Sequence, residues 1–194
     1  MKYDKSVVLL AGGKGSRLNY IDKSFLKFNG KTFVEIIIEK LSKFSEIIII
    51  SNSPEKYLGY NLKVIKDEIK NVGPLGGILT GLKNATNEEC LILSCDTPFL
   101  EEEFLEYLGR FKGDYDISIP IHNSFREPLC ALYKKSSMDE IINCINNKEF
   151  KIANIFKNLK INWININEFE NFNKISSSFF NINTFEDLKL MEKM

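Results

Sequence analysis

The chain alternates short, continuously apolar runs with segments whose apolar positions recur at helical spacing. Val7 to Ala11 and Glu46 to Ser51 ("EIIIIS") end in small or polar residues, the pattern of strands covered on both faces. Between them, in Thr32 to Lys43 ("TFVEIIIEKLSK"), Phe33, Ile36, Ile37, Lys40 and Leu41 share one helical face, and Thr32 with Glu35 forms a capping-box signature. This predicts a strand, helix, strand unit. Leu62 to Ile65 reads as a shorter strand, Pro74 to Ala85 as a helix, Cys90 to Ser94 ("CLILS") as another strand and Glu101 to Phe111 as a helix. The alternation predicts an α/β protein, a three-layer sandwich around a mostly parallel sheet.

After Asp114 the pattern changes. "DYDISIPIHN" and "EPLCALYKK" read as strands joined by a turn, "MDEIINCIN" and "KIANIFKNL" as helices, and "INWININ" as a last strand. "NINTFEDLKLMEKM" ends the chain with Thr184 as a helix N-cap and Asp187 three residues on. No repeat, low-complexity linker or composition break divides it. Residues 1–194 therefore read as a single domain, with one pattern over about 1–112 and another over about 113–194.

Composition narrows the function classes. With 26 basic against 26 acidic residues, no global field draws the chain to nucleic acid or an anionic membrane, so any anion must be held locally. Cys90, Cys95, Cys130 and Cys144 show no CxxC pairing, and His122, the single histidine, stands in no metal-ligand spacing with them. They read as reduced core thiols of a cytoplasmic protein. The apolar run near the N-terminus is far shorter than the roughly 18 or more residues of a membrane span.

The candidate chemistry begins at "VVLLAGGKGSRL". A Walker A loop would need glycine where Val8 stands and Ser or Thr in place of Gly15, and a dinucleotide fingerprint would need glycine in place of Leu18. What remains is a strand followed by G-G-x-G-S-R. The missing Cβ atoms let the chain curl around phosphates, Arg17 adds a forked cation, and Lys23 in "DKSFLKF" a second positive charge; a plain strand-to-loop turn with solvated cations is the alternative. In "LILSCDTPFL" an apolar strand delivers Asp96 at its carboxyl end, where open α/β sheets bind ligands and a carboxylate can hold Mg2+; the alternative is an N-cap for the following helix.

"LLAGGKGSRLNYIDKSFLKFNGK", "GPLGGILTGL", "CDTPFL", "EPLCALY" and "NINTFEDL", in this order, closely resemble the molybdenum cofactor guanylyltransferase family (MobA), within the nucleotidyltransferases with a Rossmann-like twisted sheet. The glycine loop is shared with sugar-phosphate and terpenoid-precursor nucleotidyltransferases; the set of motifs is more specific. The resemblance implies that Leu10, Ala11, Gly12 and Gly13 line the nucleotide pocket and that Arg17 and Lys23 hold the triphosphate. It implies that Asn52 and Asp67 contact the guanosine portion and that Asp96 is the Mg2+ ligand. Gly76, Gly77 and Gly81 would let the backbone approach ligand, and Arg126, Asn181 and Asn183 fall in segments expected to face the pterin. Each residue also has a plainer reading: Asn52 and Asp67 as turn residues, Asn181 and Asn183 as backbone caps, His122 as a surface histidine, and Trp163 as core. The chain departs from the family at Asn19-Tyr20, where Gly-Gly is usual, and at Phe185, where proline is usual.

The implied reaction is transfer of GMP from GTP to molybdopterin or its molybdenum-loaded form, with release of pyrophosphate. Arg17, Lys23 and Asp96 carry the catalysis, Mg2+ is the cofactor, and other cofactor-biosynthesis or acceptor proteins are the further partners. Two rivals stand beside it. One is a cytidylyl- or sugar-phosphate nucleotidyltransferase of the same fold, the other a non-catalytic nucleotide-binding adaptor.

Overall fold

The computed structural model describes residues 2–11, 22–180, 182, 184, 187 and 190. In chain order its elements are β1 (Tyr3–Leu10), β2 (Lys27–Phe28), β3 (Lys31–Thr32), α1 (Phe33–Lys40), β4 (Phe44–Ser51), β5 (Lys63–Lys66), α2 (Pro74–Asn84) and β6 (Glu89–Ser94). There follow α3 (Glu102–Arg110), β7 (Ile117–His122), β8 (Phe125–Arg126), β9 (Cys130–Lys134), α4 (Met138–Asn146), β10 (Ile161–Asn165) and α5 (Phe172–Ser176).

The main sheet runs β10-β7-β9-β6-β1-β4-β5, with β8 paired to β7. β1 lies parallel to both β4 and β6, β4 parallel to β5, and β10 parallel to β7, whereas β9 is antiparallel to β6 and β7. Strands from both halves of the chain thus share one mostly parallel sheet. The apolar runs are buried on both faces for the reason their composition implies. In β1, Val7 and Leu9 enter the core under α1 and α3, Val8 enters the opposite core under α2 and α4, and all three are fully buried.

Local signals set the helix ends. The Thr32 hydroxyl accepts from the Glu35 amide while the Glu35 carboxylate takes the Thr32 N–H, so the capping box forms and α1 starts at Phe33. Thr184 and Asp187 make the same reciprocal bonds, at 2.7 and 3.1 Å. Elsewhere tertiary context overrides the pattern. "KIANIFKNL", expected as a helix, forms only a 3-10 segment over Ile152–Lys157, although Ile152, Phe156 and Leu159 pack with the buried Ile155 against the core. Trp163, read as core, is 40% exposed: β10 is the outer strand of the sheet, and among the described residues no strand pairs with its other side. Among the described residues no helix is long and apolar enough to cross a membrane.

Candidate functional site

Three backbone hydrogen bonds assemble the site from strand ends. The Ala11 amide donates to Ile50 O (2.9 Å), the Cys95 amide to Leu10 O (3.2 Å) and the Asp67 amide to Ser51 O (3.3 Å). Leu10, Ala11, Asn52, Asp67 and Asp96 are thereby delivered to one carboxyl edge of the parallel strands, where such sheets bind ligands.

Lys23 comes to this edge from a different part of the chain. It opens a short 3-10 turn, Lys23–Phe25, capped by Asp22, whose carboxylate accepts from the Ser24 amide at 3.3 Å. The turn is pinned from below where the Ser24 hydroxyl meets Cys95 Sγ at 3.1 Å and Phe25 packs on the buried Tyr57 at 5.1 Å between ring centroids. The result is Lys23 Nζ 3.4 Å from Asp96 Oδ2, a cation and a carboxylate 73 residues apart in sequence held in one partly sheltered pair.

Asp96 is not a helix cap. α3 begins six residues later with Glu101 as its N-cap residue, and no side chain caps it. The loop after Asp96 is instead held from three sides. Lys40 Nζ donates to Pro98 O (3.2 Å) and Leu100 O (2.7 Å), the Ser178 hydroxyl accepts from the Glu101 amide (2.8 Å), and the Ile182 amide donates to Asp96 O (3.1 Å). Lys40 is half-buried there, and burial lowers its pKa. The helical pattern had placed Lys40 on the apolar face of α1; its position on that face was legible, its task was not.

Asp67 is half-buried as well. Burial raises its pKa, and the Ile69 amide at 3.1 Å and the Thr80 hydroxyl partly offset this. α2 runs close beside it, which accounts for the glycines. A Cβ at Gly76 would stand 2.5 Å from Ile69 O, one at Gly77 2.9 Å from Leu10 Cδ2, and one at Gly81 2.3 Å from Val8 Cγ1. Packing by itself accounts for Gly76, which meets a backbone oxygen, and for Gly81, which meets the fully buried Val8; at Gly77 the near atom is the end of the Leu10 side chain, which can move aside.

Arg126 is exposed on β8, its guanidinium 4.7 Å above the Trp163 ring, on the β7 and β10 side of the sheet. His122 stacks on Phe179 at 5.2 Å, and partial burial lowers its pKa. Gly12, Gly13, Arg17, Asn181 and Asn183 lie outside the described residues. The four cysteines are buried and unbridged, and burial pushes the Cys90 and Cys95 thiols up to about 12, so neither is a nucleophile near neutrality.

A cavity of about 230 Å3 opens beside Asp96, between Thr97, Glu127, Leu129, Ile152 and Phe179. Glu127 had no role assigned in the sequence, although it opens the quoted "EPLCALY" stretch. Burial, with a contribution from the negative Asp96, raises its pKa to about 7.

Among the described residues no group of three or more His, Cys, Asp or Glu side chains is gathered into a metal cage. A single carboxylate at the strand edge nonetheless has donor chemistry that fits Mg2+. That ion is commonly held by one or two carboxylates, with substrate phosphates and water completing the octahedron. Asp96 is such a donor.

The MobA-like NTP transferase domain family matches residues 7–160. A protein named as a probable molybdenum cofactor guanylyltransferase, from Clostridium perfringens strain SM101, is 45% identical over 193 residues, covering 95% of this chain and 96% of that one. A relative of the same name from Natranaerobius thermophilus is 37% identical over 97% of this chain and 95% of its own. Among solved structures, molybdopterin-guanine dinucleotide biosynthesis protein A from Archaeoglobus fulgidus superposes with a TM-score of 0.84 at 32% identity, covering 97% of each chain.

Proposed function

From the premise that this chain belongs to the MobA-like NTP transferase family, we propose that it is a molybdenum cofactor guanylyltransferase, which joins GMP from GTP to the terminal phosphate of molybdopterin or its molybdenum-loaded form. The observation that carries the reading is the Lys23–Asp96 pair at 3.4 Å, set at the strand ends from which the glycine loop departs.

The chemistry needs no covalent enzyme intermediate. An oxygen of the acceptor phosphate attacks the α-phosphorus of GTP in line, the new P–O bond forms, and the bond to the β-phosphate bridging oxygen breaks. Pyrophosphate leaves with that electron pair. Catalysis then consists of positioning and of neutralising charge on the phosphates. Lys23 supplies positive charge at the edge of β6, and Arg17, in the loop sequence, a second cation. Mg2+, when bound at Asp96, supplies charge neutralisation to the triphosphate. Leu10 and Ala11, with Gly12 and Gly13 next in the sequence, would line the base edge of the pocket, with Asn52 and Asp67 beside the guanosine. Guanine offers two N–H donors next to an acceptor oxygen, which backbone groups at the end of β1 can match without a charged side chain.

The test is pyrophosphate release by the purified chain with Mg2+ and molybdopterin, supplied with GTP or CTP. Release with GTP that requires the pterin supports the reading. A preference for CTP assigns the cytidylyl reaction instead, and tight GTP binding without release identifies a non-catalytic adaptor.

A further inference from the structure

Glu127 is fixed in place before any ligand arrives. Its amide donates to Pro120 O at 3.0 Å and its carbonyl accepts from the Cys130 amide at 3.0 Å, while the Ser94 amide on β6 donates to Leu129 O at 3.0 Å. The turn between β8 and β9 is therefore locked against the strand that delivers Asp96. The carboxylate itself, partly buried at the cavity wall, has no hydrogen bond or ion pair among the described residues. The charged carboxylate in that position is unfavourable unless a proton or a ligand's N–H donors come to it.

We propose that Glu127 determines acceptor specificity, its two carboxylate oxygens taking the adjacent N–H donors on the 2-amino-4-oxo edge of a pterin ring seated in the cavity beside Asp96. This rests on the acceptor assigned under the proposed function and names the group that recognises it. The cavity, at about 230 Å3, is smaller than the roughly 300 to 1,000 Å3 of pockets for drug-sized ligands, which suits one flat ring system and not a whole nucleotide. Leu129, Ile152 and Phe179 offer apolar walls for the ring faces, while the carboxylate fixes its orientation. A phosphate is excluded from that wall by like charge. Guanine carries the same donor edge, but sheet order separates the two subsites. Glu127 stands on the β9 side of β6, whereas Leu10, Asn52 and Asp67 lie on the far side at β1, β4 and β5.

Two measurements test this. In steady-state pyrophosphate release, Glu127→Gln keeps one acceptor oxygen and replaces the other with a donor. KM for molybdopterin should rise about tenfold or more, with KM for GTP and the Mg2+ requirement unchanged. The second uses the unmodified chain without GTP. Fluorescence titration should show binding of 6-hydroxymethylpterin and rejection of 6-hydroxymethyllumazine, whose 2-oxo group would face the carboxylate, by about tenfold or more. An unchanged KM for molybdopterin, a shift in KM for GTP, a changed Mg2+ requirement, or equal binding of the two heterocycles each overturns the proposal. If the chain discriminates the heterocycles through Glu127 yet releases no pyrophosphate, pterin recognition stands and the transferase reading falls.

Discussion

Gly81→Ala tests whether the glycines of α2 serve packing. The added Cβ would lie 2.3 and 2.7 Å from the two Val8 methyls and 3.0 Å from Val8 Cβ, against about 3.5 to 4.0 Å for an ordinary carbon contact. Val8 cannot yield. Val8 is fully buried, its χ1 is restricted by β-branching, and its backbone is clamped between Ile48 of β4 and Ile92 of β6. The helix must therefore shift. Overpacking of this kind typically costs about 1 to 3 kcal/mol, and the depth of the overlap puts Gly81 at the upper end. Alanine returns about 1 kcal/mol through helix propensity, so a net loss of about 2 kcal/mol is expected. For a chain of this size that lowers Tm by about 4 to 8 °C. The assay is thermal and urea unfolding of Gly81→Ala, Val8→Ala and the double variant, with GTP binding measured below the transition. Val8→Ala opens the space that the new methyl fills, so the double variant should show a favourable coupling of about 0.5 to 3 kcal/mol. A Gly81→Ala chain that melts like the parent but loses GTP or pterin binding would refute the packing argument and assign the glycine to ligand approach.

Three further outcomes are expected. Asp96→Asn should lower pyrophosphate release by about a hundredfold or more while leaving the melting transition in place, and full turnover at limiting Mg2+ would remove Asp96 from the mechanism. Lys40→Met keeps the aliphatic stem but leaves Pro98 O and Leu100 O without their donor; a loss of about 2 to 4 kcal/mol in urea unfolding and a several-fold fall in turnover should accompany each other, and an unchanged urea midpoint would contradict the role given to Lys40. At Glu46, burial raises the pKa, but the Ser6 hydroxyl at 2.5 Å and the Thr86 amide and hydroxyl at 2.8 and 3.0 Å outweigh it, so the folded value lies below the ordinary 4.5. Its stabilising contribution is present above pH 4.5 and lost as pH falls through the lower folded value, so Glu46→Gln should flatten the acid limb of a Tm-against-pH curve, and an identical limb would refute this.

What could be read from the sequence was whatever depends on near neighbours in the chain. The runs at Val7 to Ala11 and Cys90 to Ser94 identify doubly covered strands because consecutive residues are apolar up to a small or polar last position. Thr32 and Glu35 identify a helix start because their bonds close within one turn. Asp96 stands at the end of its run, so its delivery to the strand edge follows from the run itself. The pairing of Lys23 with Asp96, the clamp from Lys40 and the cavity at Glu127 depend instead on strand order, which brings together residues tens of positions apart. The turn between them sets β9 antiparallel to β7, but nothing local inserts β9 beside β6, and that insertion puts Glu127 opposite Asp96. The same order leaves β10 with one strand neighbour among the described residues, and Trp163 is exposed there although its composition reads as core. An apolar pattern specifies that a face is buried. Which partner buries it, and which polar groups that contact strands without a donor, is decided only when the sheet closes its order.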